Sequence, residues 1–240
     1  YGASVYSGVS KVGDILELSI SSSFLDNRYT LYNENNFLEL TNLLCDLIFD
    51  PNVINEEFSK DILEQEKRQL IELIESEIND KKILAKNKCI DAMCKNEKFS
   101  INKYGTKDQV AKLTGSDVYK SWKRLLETSK VEIMIIGKTD GKAEIQAFQN
   151  SFSKIDRKNI VQCSSEIIGS ANKVKELKDE MDVVQSKLVI GFRAGLKNSN
   201  AEVMATRVMT ALYGITPQSK LFTNVREKLS LCYYCSALYD

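Results

Sequence analysis

Pro217-Gln218-Ser219-Lys220-Leu221-Phe222-Thr223-Asn224-Val225-Arg226-Glu227-Lys228-Leu229-Ser230-Leu231-Cys232-Tyr233-Tyr234 is the stretch on which the reading of this chain turns. Thr216, just before it, is a good N-cap, and Pro217 fits the first helical position, where its missing N–H leaves nothing unsatisfied. Leu221, Phe222, Val225 and Leu229 fall on one helical stripe and leave Arg226 at its edge. From Leu231 the residues turn aromatic or small, as a strand would. The pattern predicts a short helix presenting Arg226, followed by a strand presenting Tyr233.

Working outward, the composition bounds what this stretch can belong to. The chain has 240 residues, 43% hydrophobic and 28% charged, an ordinary globular balance with enough length for one large domain or two smaller ones. Lysine plus arginine total 33, as do aspartate plus glutamate, so the balance favours neither nucleic acid nor an anionic membrane as partner. No apolar run reaches the roughly 20 residues of a membrane span, and no signal peptide is visible; a cytoplasmic location is expected. The sequence starts at Tyr1 in what reads as the middle of a fold, so an internal fragment is expected.

Six cysteines are present. Cys45, Cys89 and Cys94 fall in helical surroundings, where a free thiol packs as a small hydrophobe, and a disulfide framework would better suit a small secreted domain. Cys232-Tyr233-Tyr234-Cys235 is nominally a C-x-x-C. On a strand, residues three apart point to opposite faces and lie about 10 Å apart, beyond the roughly 7 Å limit for bridging. Neither a redox nor a zinc role is expected of them.

The rest of the chain reads as β and α elements in turn. Val5 to Val9 and Ile15 to Ser23 form a hairpin around Gly13, with one face to bury. Residues 36–49 form a helix ending before Asp50-Pro51. Residues 56–96 form the longest helical tract, broken near Asn79-Asp80, with Phe58, Ile62, Leu63, Leu70, Ile74 and Ile78 as its apolar positions. Its many glutamates read as a solvated face. Thr114 caps the next helix, striped by Val118, Trp122, Leu125 and Leu126, and the apolar run from Val131 to Gly137 is a central strand. Ile145, Phe148 and Phe152 stripe another helix. Residues 154–181 are polar and form a surface connection, followed by a strand from Val183 to Ala194 and a helix from Ala201 to Leu212. This order predicts an α+β fold with helices covering one face of a sheet.

Here the residues resemble a known family. Leu221-Phe222-x-x-Val225-Arg226-Glu227-x-x-x-Leu231-x-Tyr233 is similar to a signature in the second half of the insulinase-type, or pitrilysin-type, zinc peptidases, the inverted zincins. Val189-Ile190-Gly191-Phe192-Arg193 resembles the strand before that signature. Lys103-Tyr104-Gly105, Leu113-Thr114-Gly115-Ser116-Asp117 and Val131 to Gly137 resemble the family's turn, helix start and central strand.

The resemblance implies metalloprotease-like two-layer units, with helices on one face of a mainly antiparallel sheet, closing over an extended substrate. It divides the chain into residues 1–165, the remainder of an N-terminal peptidase-like domain whose metal-binding helix lies upstream; a linker, 166–181; and residues 182–240, the start of a C-terminal peptidase-like domain. Zinc in such enzymes is held by an H-x-x-E-H helix, whose glutamate is the general base, and by a glutamate from a later helix.

This chain has no histidine. When the family's later helix is laid on Glu66-Lys67-Arg68-Gln69-Leu70-Ile71-Glu72-Leu73, the third ligand position falls on Leu73, which cannot bind zinc. A slip of one or two residues in alignment would offer Glu72 or Glu75, although one residue turns a helical side chain by about 100° away from the metal's face. The expectation is a non-catalytic homologue without a catalytic or metal-binding residue in this chain. It would hold a peptide or unfolded polypeptide segment through Arg226, with its planar fork of donors, and Tyr233, with its phenolic donor. A homo- or heterodimer with a related peptidase subunit is the other partner expected. The same two residues also fit a plain helix-surface arginine and a half-buried strand tyrosine. The alternative is an active zinc endopeptidase with Glu72 or Glu75 as third ligand and H-x-x-E-H upstream of Tyr1.

Overall fold

The hairpin pairs β1 (Ser4–Val12) with β2 (Ile15–Ser23) antiparallel, Val12 facing Ile15 across a tight turn. Gly13 takes φ 58° there, a left-handed conformation that a two-residue hairpin turn requires and glycine adopts without a Cβ clash. The computed structural model describes residues 2–164, 168–195 and 200–239. Helix α1 (Asn36–Phe49) follows, then a short ladder of β3 (Val53–Ile54) and β4 (Glu57–Phe58), and then α2 (Lys60–Asn79) and α3 (Lys81–Met93). Next come α4 (Lys107–Lys112), α5 (Gly115–Thr128), α6 (Lys142–Phe152) and α7 (Asn200–Gly214). Helices beside a small antiparallel sheet make the fold α+β, as the sequence predicts. Among the described residues no helix is long and apolar enough to cross a membrane.

Local chemistry sets the helix boundaries. Asn35 accepts the Leu38 amide at 3.3 Å and starts α1. Asp80 separates α2 from α3 at the predicted break and caps the second, accepting the amides of Lys82 at 2.8 Å and Ile83 at 3.2 Å. Thr114 forms a capping box with Asp117 at the start of α5.

The core lies where α1 meets α6. Phe37, Leu40 and Cys45 of α1 and Phe148 of α6 are buried, and Phe49 meets Phe152 edge-to-face at 4.7 Å between ring centroids. Phe24, just beyond β2, meets Phe37 in the same way at 4.9 Å and ties the hairpin to α1. The Trp122 indole of α5 donates to the Ile48 carbonyl at 3.2 Å.

Three strand expectations and one burial expectation need correction. Residues 131–137, 183–194 and 231–239 enter no strand ladder among the described residues. An apolar run biases the backbone toward extension, but a ladder also needs a neighbour's donors and acceptors, which the described residues do not supply. The hairpin face expected to be buried leaves Val9, Leu16 and Leu18 exposed, although α1 packs near β2.

Candidate Arg226–Tyr233 site

The segment from Thr216 to Tyr233 differs locally from its sequence pattern. Residues 216–219 form a turn closed by the Ser219 amide on the Thr216 carbonyl at 2.9 Å, so neither Thr216 nor Pro217 starts the helix. Ser219 does: it is buried, its hydroxyl accepts the Phe222 amide at 3.4 Å, and its carbonyl accepts the Thr223 amide at 2.9 Å. The turn that follows, Phe222–Lys228, is a π-helix, with the Leu229 amide donating to the Asn224 carbonyl at 3.0 Å. Such wide turns are uncommon and are frequently found at functional sites. Ser230 leaves it at φ 50°, and the Leu231 amide returns to the Val225 carbonyl at 3.1 Å.

This geometry brings together the two residues singled out from sequence. The Arg226 guanidinium lies 4.3 Å from the Phe222 ring centroid and 5.8 Å from that of Tyr233. Both distances are within cation–π reach. The Glu227 carboxylate, at 3.9 Å, is beyond hydrogen-bond reach. Arg226 is 36% exposed along its side chain, and Tyr233 is 80% exposed at a bend instead of half-buried in a strand. A separate apolar groove of about 590 Å³ runs along α7, lined by Met204, Val208, Met209, Leu212, Tyr213 and Lys220.

Cys232 and Cys235 do not lie on the expected strand; both are free and half-buried. A strand would have held them on opposite faces, and the backbone here is not a strand.

On α2, Leu73 is 41% exposed, whereas Leu70 and Ile74 are half-buried. The alternative zinc ligands are engaged elsewhere. Glu72 lies 4.0 Å from Arg68, and Glu75 hydrogen-bonds Lys107, whose ammonium is pushed up in pKa by that carboxylate. Among the described residues no group of three histidine, cysteine, aspartate or glutamate side chains could hold a metal ion.

Sequence reasoning missed one buried pair. Glu97, only 8% exposed, accepts from both Arg193 Nη atoms, one at 2.8 Å, and accepts the Ile168 amide at 3.4 Å. Arg193 beside it holds the Glu97 carboxyl below its ordinary value, and the carboxylate raises the arginine in return. The partners stand 96 residues apart. Nothing local in the sequence could have matched them.

Comparison with known proteins shows what the chain is similar to. Residues 112–240 match the peptidase M16 inactive domain. Over 238 residues the chain is 28% identical to the probable inactive metalloprotease YmfF of Bacillus subtilis (strain 168), covering 99% of this chain and 55% of that protein. It superposes with a TM-score of 0.87 and 25% identity on the crystal structure of a conserved protein from Enterococcus faecalis V583, covering all of this chain and 56% of the other. The chain thus spans about half the length of these relatives.

Proposed function

Because this chain belongs to the peptidase M16 family and contributes a match to its inactive domain, we propose that it is a non-catalytic peptidase homologue that holds an extended peptide at Arg226 and Tyr233. The observation that carries this reading is the guanidinium within cation–π reach of both the Phe222 and Tyr233 rings, its N–H edge with no acceptor closer than the Glu227 carboxylate at 3.9 Å among the described residues. A peptide carbonyl or carboxylate suits that edge, and the planar fork allows two parallel hydrogen bonds. The exposed Tyr233 hydroxyl offers a further donor to the peptide backbone. The groove along α7 would take the peptide's apolar side chains, leaving selectivity to size and hydrophobicity.

The lack of catalysis is supported by Leu73 at the third ligand position and by the engagement of Glu72 and Glu75 with basic partners. The relative from Bacillus subtilis is itself described as probably inactive.

Fluorescence polarisation with a labelled, unstructured apolar peptide tests the reading. Arg226→Ala should weaken binding by about tenfold, equivalent to about 1.4 kcal/mol. Arg226→Lys should fail to restore it, since an ammonium has no planar fork. Unchanged affinity in Arg226→Ala would overturn the assignment. The peptide should emerge uncleaved, and zinc-dependent cleavage would favour the catalytic alternative.

A further inference from the structure

The groove along α7 has one charged residue in its lining. Met204, Val208, Met209 and Leu212 make it apolar, and Lys220 also lines it. Among the described residues the Lys220 ammonium has neither a hydrogen bond nor an ion pair, whereas Lys228 of the same segment donates to Asn224 at 3.2 Å. An unpaired ammonium beside apolar surface favours an anion that arrives together with apolar groups, because those groups displace the water that would otherwise weaken the pair.

The size of the face limits what that anion can belong to. Helix α7 has 15 residues, so its apolar side is about 22 Å long and about 10 Å wide, roughly 220 Å². A folded partner or a second copy of this chain needs about 800 Å² on each side for a stable interface. The groove volume of about 590 Å³ instead falls within the range of about 300–1,000 Å³ typical of small-ligand pockets. Lys220 and Arg226 stand on one continuous helical segment, where their spacing amounts to about 9 Å along the axis. An extended peptide covers that distance in about three residues.

Resting on the peptide reading, we propose that Lys220 is a specificity-determining residue: it selects a peptide with an acidic side chain about three residues from the carbonyl that Arg226 holds. The groove sorts side chains by size and hydrophobicity, and Lys220 adds the sign of charge. Its ammonium is exposed and sits on a flexible stem, so the gain is that of an exposed ion pair, about two- to fivefold in affinity.

Fluorescence polarisation with two labelled peptides tests this. Both are rich in leucine and alanine and amidated at the C-terminus, and they differ only in one Glu or Gln. The wild-type chain should bind the Glu peptide about two- to fivefold more tightly, and the preference should shrink in about 1 M salt, where screening reaches to about 3 Å. Lys220→Gln should erase the preference and Lys220→Glu should reverse it, while Arg226→Ala should weaken both peptides by the same factor. Equal binding of the two peptides by the wild type, or a preference that persists in Lys220→Gln, would overturn the role of Lys220 and leave the peptide reading standing. A Gln peptide with a free C-terminal carboxylate that binds as tightly as the Glu peptide would assign Lys220 to chain ends and overturn the side-chain selection. Binding indifferent to Arg226→Ala would sink the peptide reading itself, and no binding of either peptide would sink both.

Discussion

Glu97 and Arg193 form the contact whose loss a single substitution would expose most clearly. The pair is bidentate and its side chains are 6% and 14% exposed, so removing one partner strands a desolvated charge. Breaking such a pair costs about 3–5 kcal/mol, more than the pair itself adds over an apolar replacement. Arg193→Met should therefore lower the unfolding free energy by about 3 kcal/mol, read from urea denaturation. The pH dependence has a definite sign. Arg193 depresses the folded Glu97 pKa below its ordinary 4.5, so its stabilisation is fully present above the unfolded value and is lost as pH falls through the folded one. Wild-type stability should drop below about pH 4.5 more steeply than that of Glu97→Gln, which has no carboxyl to titrate. Urea midpoints from pH 3 to 7 give the comparison, and parallel curves would remove Glu97 from the account. The sequence exposed Arg226 and Tyr233 because a local pattern carries them. Glu97 sits in an unpatterned polar stretch and Arg193 in an apolar run, and only the fold relates them.

At the scale of elements, what was legible was whatever the chain settles within a few residues. Asn35, Asp80 and Thr114 cap their helices through side chains no more than three positions from the amides they satisfy, so the starts of α1, α3 and α5 could be read directly. The helix bearing Arg226 was read one turn early because Thr216-Pro217 satisfies the same local rule. The burial of Ser219 decided otherwise, and no local rule reports burial. Nor does the apolar stripe distinguish an α-turn from the π-turn that follows. Gly115 shows how packing reverses a local expectation. At the start of α5, alanine would ordinarily gain about 1 kcal/mol over glycine. A Cβ at Gly115, however, would lie 2.5 Å from the Phe58 carbonyl oxygen and 2.7 Å from the Glu57 side chain, and the first of these is backbone and cannot swing aside. Gly115→Ala should thus destabilise by about 1–3 kcal/mol, the range for overpacking, with β4 prised from α5. A rise in melting temperature on this substitution would refute the close approach.

The whole molecule is more open than its mass calls for. A compact monomer of 27.2 kDa exposes about 11,000 Å² and its unfolded chain about 39,000 Å². This chain exposes 18494 Å², so folding buries about three quarters of the area that a compact protein of its size would bury. The uncovered surface is apolar and coincides with the segments whose sequences asked for burial: Met134 and Ile136 in one extended run, Val184, Leu188 and Phe192 in another, and Met204, Val208 and Leu212 on α7. Hydrophobic periodicity states which faces are to be covered and cannot state by what. That is why the helices and the local β1–β2 hairpin were legible and the pairing of residues 131–137, 183–194 and 231–239 was not. Since the urea dependence of stability scales with the area exposed on unfolding, the 240-residue chain should show a slope about three quarters of that of a compact protein of equal length. It should also bind a solvatochromic apolar dye in its native state, because contiguous patches of this kind rarely stay uncovered on soluble monomers. A full-sized slope with no dye binding would mean that these runs find cover within the chain. The extended segments would then be packed strands, and the groove on α7 would not be open to a peptide.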